Sequence, residues 1–276
     1  MQAKAYLSRQ SRQGMSSVIK CITWNVNGIR TRRDRVSALL EAHQPDVVCL
    51  QEVKCTQEKY PLDSFLRSGY ESAVFGQPAY NGVAILSRQR ATDVATGLDD
   101  QARAIAGTVH GIRWVNVYVP NGGTVGSPKY AYKLGWLEQL EVFLMTQLAL
   151  GDDLVVMGDF NVIVDNLDTA HPAAWEGSVL CDPETRMLLS RIMKRFGLVD
   201  VLRKHAPGPG VYTWWDYRTR AFGRNDGVRI DHILMTPGLA ARSVNAWVDV
   251  DERGCDRPSD HAPVLARLLT NGHPAT

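Results

Sequence analysis

From Val18 onward, short apolar runs alternate with longer amphipathic or polar segments. Runs of strand length and β-branched content are Ile19–Asn25, Val47–Glu52, Val83–Ser87, Ala104–His110, Arg113–Val119, Leu154–Asp159, Val211–Trp215, Ile230–Met235, Val244–Val250 and Val264–Leu268. Gly111, between two of them, marks a hairpin turn. Arg32–His43, Tyr130–Leu150 and Glu184–Phe196 read as helices, the last preceded by a capping Asp182 and by Pro183 at the first helical position. Leu134, Leu137, Leu140, Val142, Leu144 and Leu148 recur at roughly helical spacing and predict a core-facing side. No repeat, low-complexity tract or linker divides residues 18–269. The pattern predicts one α/β domain of packed sheets flanked by helices.

The ends of the chain break this pattern. Residues 1–17 are rich in Gln, Ser and Arg, contain no acid and lack the apolar stretch of a secretory signal. They read as a disordered leader rather than a transit peptide, with Met15 a second possible start. Residues 270–276 read as a short tail. The longest apolar runs, such as Leu154–Met157, are far below the ~18 residues of a membrane span, so no membrane partner is expected.

Composition changes the picture in two places. The 31 basic and 29 acidic side chains leave a net charge of +2, which excludes a strongly cationic nucleic-acid wrapper but allows a local basic rim. Five cysteines, an odd number with no C-x-x-C pair, argue against a zinc site or a disulfide framework. A reducing, cytoplasmic compartment is expected.

The candidate chemistry lies where the strands end. Asn25, Glu52, Tyr118, Asn121, Asp159 and Asn161 close apolar runs, Asp231 sits inside one, and Asp260-His261 precedes the last. One Asp or Asn at a strand exit is usually a turn former. Six endings drawn from the same few residue types predict a polar cleft with a hard-cation site and a proton-transfer pair. Such a cleft suits phosphate-ester hydrolysis, with oxygen ligands such as Glu52 favouring Mg²⁺. No G-x-S-x-G elbow and no phosphate-binding G-x-x-x-x-G-K-[ST] loop is present.

Trp24-Asn25-Val26-Asn27-Gly28, Gln51-Glu52-Val53-Lys54, Gly158-Asp159-Phe160-Asn161 and Ser259-Asp260-His261-Ala262-Pro263 occur in this order. Together they resemble the endonuclease/exonuclease/phosphatase superfamily. Tyr80–Arg88, Val117–Gly122 and Tyr212–Arg218 with Arg229-Ile230-Asp231 narrow the resemblance to its exonuclease III branch. The resemblance covers about residues 18–269 and implies a four-layer α/β sandwich, two face-to-face β-sheets flanked by helices. It implies Mg²⁺, with Mn²⁺ as substitute, held by Glu52 with Asn25 and Asp260. His261 and Asp231 match the His–carboxylate pair, Asp159 the residue acting at the scissile phosphate, and Asn161 and Tyr118 phosphate contacts; Asn121 and Lys54 match supporting positions. Asn27 stands where some members carry Asp, one carboxylate fewer, which bears on a second metal ion.

The implied activity is DNA repair by a monomer. It combines 3′→5′ exonuclease action on double-stranded DNA, incision at abasic sites and trimming of damaged 3′ ends. Trp214, Val228 and Ile230 match a pocket for a base-free sugar, and loop 165–181, with Trp175, lies where it could support or obstruct that pocket. Trp214, Trp215, Arg218 and Arg229 read as DNA-binding, with Arg30, Arg32, Arg33, Lys129, Lys133, Arg220 and Arg224 as further rim cations. A phosphatase for small or lipid substrates and a non-catalytic binding protein remain alternative readings. The aromatic and basic stretch from Trp214 to Arg229 argues against the first, and the complete acid and His set against the second.

Overall fold

The computed structural model describes residues 18–270. The expected leader and all but the first residue of the expected tail lie outside the described residues. Twelve strands form: β1 Val18–Asn25, β2 Val47–Gln51, β3 Glu71–Phe75, β4 Val83–Ser87, β5 Thr92–Thr96, β6 Ala104–Val109, β7 Ile112–Tyr118, β8 Leu154–Asp159, β9 Val199–Asp200, β10 Asp231–Met235, β11 Ser243–Val248 and β12 Val264–Leu269. The helices are α1 Ile29–His43, α2 Leu62–Arg67, α3 Pro128–Leu148, α4 Pro172–Trp175, α5 Pro183–Phe196, α6 Val201–His205, α7 Pro237–Arg242 and α8 Val250–Arg253. No helix among the described residues is long and apolar enough to cross a membrane.

The strands build two six-stranded mixed sheets, in the orders β11-β12-β1-β2-β4-β3 and β5-β6-β7-β8-β10-β9. Their inner faces pack on each other through Cys21, Cys49 and Ile85 from one sheet and Trp114, Met157 and Ile233 from the other. The outer face of the first sheet is covered by α1 and α2 through Val36, Leu40 and Phe65. The outer face of the second is covered by α3 and α5 through Leu137, Leu140, Leu188 and Ile192. Four layers result, as the resemblance implied, and the alternation of side chains along each strand follows from them.

The helix starts follow local chemistry. Ser127 Oγ accepts from the Tyr130 N–H with Pro128 in the first turn, and the Asp182 carboxylate accepts from the Thr185 N–H ahead of α5. On α3, Val142 points outward, 57% exposed, while Trp136 takes a core place among the leucines. Two edge strands, β3 and β5, carry too few buried apolar side chains to stand out in the sequence. Val211–Trp215, expected as a strand, joins no sheet. Its Thr213 and Trp214 N–H groups both donate to the Val228 carbonyl and the Trp215 N–H to the Asp260 carbonyl, so it laces two loops together at the end of the sandwich.

Candidate active site

Strand alternation aims the candidate residues into one cleft. In β8, Val155 and Met157 face the inter-sheet core, so Asp159 faces the same way at the strand's open end. β10 brings Asp231 opposite Asp159 in antiparallel register, and parallel pairing brings Tyr118 of β7 beside it. β1 and β2 are also parallel, so Asn25 and Gln51 leave together, with Glu52 next in the chain. Deeper between the sheets, Gln51 Nε2 donates to Asn116 Oδ1 at 2.7 Å and ties the sheets beneath the site.

The loops after these strands bend sharply. Asn27, Glu52, Lys54 and Asn161 all have φ between 46° and 52°, a left-handed backbone uncommon for side-chain-bearing residues. The Gly28 N–H donates to the Glu52 carbonyl at 2.7 Å and the Lys54 N–H to the Asn81 carbonyl at 2.9 Å, which holds the strained turn. Gly158 is required for a different reason: a Cβ there would sit 1.9 Å from the Val117 carbonyl oxygen of the neighbouring strand.

At the centre, His261 Nδ1 and Asp231 Oδ2 are 2.8 Å apart, and Nε2 lies 3.7 Å from Asp159 Oδ2. Thr213 Oγ1 donates to Asp231 Oδ2 at 2.6 Å, and the Trp24 indole holds the His261 carbonyl at 3.0 Å, so ring and carboxylate are both oriented. Burial alone would lower the His261 pKa, but the charges of Asp231 and Asp159 outweigh it and push it up to about 10. Burial pushes Asp159 up to about 7, against the pull of His261. Asn25 Nδ2 donates to both Glu52 (2.8 Å) and Asp159 (2.9 Å). Burial opposes the charged form of Glu52, yet Lys54, 2.6 Å away, and Asn25 hold it below the usual carboxylate range. Tyr118 is raised well above an ordinary phenol by burial and by the facing Glu52 and Asp159.

Donor atoms of Glu52, Asp159 and His261 all lie within 4.8 Å of one another, two hard oxygens and one nitrogen. With Nδ1 on Asp231 and a raised pKa, His261 keeps its proton, so the two carboxylates are the donors suited to a hard divalent cation such as Mg²⁺. The expected companions of Glu52 are hydrogen-bonded at the same centre, as Glu52 and Asp159 themselves are. Asn25 Oδ1 accepts from the Asn27 N–H at 3.0 Å while its nitrogen bridges the carboxylates. Asp260 accepts from Asn27 Nδ2 on one oxygen (2.9 Å) and from Trp214 Nε1 on the other (3.0 Å).

A cavity of about 450 Å³ opens above this centre, lined by Glu52, Tyr118, Asn121, Asp159, Asn161, Trp214, Arg218, Ile230, Asp260 and His261 among others. Trp175 and the chain 177–180 close one side, with the Trp175 ring edge-on to Trp214 at 6.3 Å. Lys54 reaches Asn27 Oδ1 at 2.5 Å on the flank. Val228 stands behind the wall in the cluster of Ile163, Val179, Leu180 and Ile230.

Several expected DNA contacts lie elsewhere. Trp215 is 1% exposed and packs on Phe222 in a separate small core, because its neighbour Trp214 takes the cavity side. Arg229 is buried between Asp168 and Asp200. Arg32 is tied to the Asn27 and Pro258 carbonyls, and Arg224 to Asp226. Lys133 is fully buried, and its ammonium donates to the carbonyls of Asn121 (3.2 Å), Asn161 (2.7 Å) and Val179 (3.3 Å). A signal for it existed: Lys133 precedes Trp136, Leu137 and Leu140 by three, four and seven residues, on the buried stripe of α3. Thr213, which anchors Asp231, gave no signal, since Thr in a β-rich run is ordinary.

The sequence model of the Endonuclease/Exonuclease/phosphatase family matches residues 22–261, and the chain belongs to that family. Within it, the chain stands with the exonuclease III branch. It is similar to exodeoxyribonuclease III of Haemophilus influenzae, 33% identical over 91% of this chain and all of the relative. It also resembles two solved structures at 39% identity. One is an AP endonuclease from Archaeoglobus fulgidus (TM-score 0.87, 90% of this chain and 98% of that one). The other is a 3′-5′ exonuclease, NExo, from Neisseria meningitidis (TM-score 0.89, 91% of this chain and all of that one).

Proposed function

We propose that this DNA-repair nuclease is a Mg²⁺-dependent phosphodiesterase that works foremost at 3′ ends of double-stranded DNA. It releases 3′ phosphates and terminal nucleotides in base excision repair, and incises at abasic sites as a second activity. The observation that carries the reading is the His261–Asp231 pair facing Asp159 and Glu52 on the floor of an open cavity. A Neisseria neighbour described as a 3′ phosphatase was solved with a product DNA hairpin, which supports the DNA substrate and the 3′ preference. Trp175 against Trp214 narrows the sugar side of the cavity, and this favours a chain end over an internal abasic site.

Glu52 would hold the metal, which when bound offsets phosphate charge and polarises the reacting phosphoryl group. The chain's own groups do the rest. Asn161 and Asn121, with side chains 3.2 Å apart, offer amide hydrogens to phosphate oxygens. Protonated His261 sets a positive charge, fixed by Asp231, beside the position where negative charge accumulates in hydrolysis. Asp159 lies 3.7 Å from that imidazolium and receives the proton of the attacking water. Arg218 at the cavity mouth, exposed and 3.3 Å from Asp216, meets the DNA backbone, and one chain supplies every residue of the site, which supports action as a monomer.

The test is release of inorganic phosphate from a duplex ending in a 3′ phosphate. EDTA abolishes it and Mg²⁺, or Mn²⁺ in its place, restores it. Full activity in EDTA would overturn the metal requirement.

A further inference from the structure

A second cavity, of about 290 Å³, adjoins the first and shares Trp175, Trp214 and Asp216 with it. The two indoles, ring centroids 6.3 Å apart and steeply tilted, line both cavities where they meet. In the second cavity the walls are mostly carbon, from Ala170, Ala174 and Ala221. His171, Arg224 and Asp226 stand around the cavity.

Resting on the reading above, we propose that this second cavity is a subsite for the nucleobase of an unpaired 3′-terminal nucleotide. The sugar and scissile phosphate occupy the first cavity, and the base lies in the adjoining second cavity against the Trp175 and Trp214 indoles that line both. At about 290 Å³ the second cavity has room for a planar base. Charge argues against a phosphate. Asp216, which pairs with Arg218 at 3.3 Å, and Asp226 both line the cavity, and the basic side chains of its own lining are already committed. His171 Nε2 is 2.9 Å from Asp226 Oδ1, and Arg224 Nε is 2.6 Å from Asp226 Oδ2. A neutral, planar group that can use both donors and acceptors suits such walls. An unpaired base is also the one that costs least to withdraw from the duplex. The subsite gives the enzyme a means to remove mispaired 3′ nucleotides faster than paired ones.

The experiment fills the second cavity without touching the first. Ala174 on α4 and Thr219 line only the second cavity and are both exposed. The full chain, A174F and T219F are compared on two duplexes, one ending in an unpaired 3′ adenosine nucleotide and one in a 3′ phosphate. At least one variant is expected to remove the unpaired nucleotide on the order of ten-fold more slowly, within the range of one lost base–aromatic stack. Both should release the 3′ phosphate at the parental rate, which also reports that they fold. Unchanged rates in both variants, or equal losses on the two substrates, would overturn the subsite. So would a parent that releases 3′ phosphate but no nucleotide, and that result leaves the 3′-phosphatase reading standing. A parent inactive on both ends would refute the underlying reading itself.

Discussion

At the scale of single residues, the Asp231 carboxylate holds the His261 ring at 2.8 Å, and the proposed chemistry makes the two one unit, the carboxylate serving the ring's orientation and charge. H261A should lower turnover in 3′-phosphate release on the order of 10²–10⁴-fold. The H261A/D231N double variant should be little worse than H261A alone. Multiplicative losses in steady-state assays would show that the two act separately. Asn25 offers a subtler test, since its amide nitrogen donates to both Glu52 and Asp159. N25L should raise the Mg²⁺ concentration for half-maximal activity by ~10–100-fold, the usual effect of losing a group that orients metal ligands. A metal titration identical to the parent's would remove Asn25 from that role.

At the scale of elements, α3 reaches into the site through Lys133, which binds three loops by their carbonyls. Burial pushes this amine down to about 7, against the pull of Asp159 and Asp182. K133M leaves the three carbonyls without their donor, at about 1–3 kcal/mol for an unsatisfied group. Its melting temperature should fall by several degrees and its 3′-phosphate release by more than the unfolded fraction explains. Activity that merely follows the folded fraction would make Lys133 a structural residue only. The same elements show what the sequence made legible. Strand-terminal Asn25 and Asp159 were readable because alternation in a buried strand fixes which way its last residue faces. Glu52, one residue past β2 at φ 51°, was legible by its residue type at a strand exit and is turned into the cleft by the bend. The core strands were readable from their apolar runs, and the long helices from helical spacing and their capping residues. The edge strands β3 and β5 were not, because solvent-facing strands need little apolar pattern. Nor were the fates of Lys133, Arg229 and Trp215, since a charge or an indole in sequence carries no mark of which side of a loop it will take.

At the scale of the whole molecule, Arg229 joins β10 to Asp168 of the loop before α4 and to Asp200 of β9. Burial opposes the charge on Asp200, yet Arg229 and His232 hold its carboxyl far below the usual range, and Asp168 is lowered in the same way. Depressed folded-state values mean these carboxylates stabilise the fold above the unfolded carboxylate pKa of ~3.9. The stabilisation is lost as pH falls from there through the folded values. R229M should cost about 3–5 kcal/mol at neutral pH by stranding buried carboxylates. Its stability should also decline less between pH 5 and 2 than the parent's; parallel acid curves would refute the linkage. Binding of duplex DNA should weaken with salt despite the net charge of +2, and R218A should reduce the log–log slope by about one unit. A slope that does not change would leave Arg218 as solvated surface.

The most direct test of the whole account is the rate of Mg²⁺-dependent phosphate release from a 3′-phosphorylated duplex, compared between the parent and D159N at equal DNA occupancy. The geometry predicts that D159N binds the duplex but releases phosphate on the order of 10²-fold or more slowly. A D159N protein that cuts at the parental rate would contradict the assignment of the chemistry to this site.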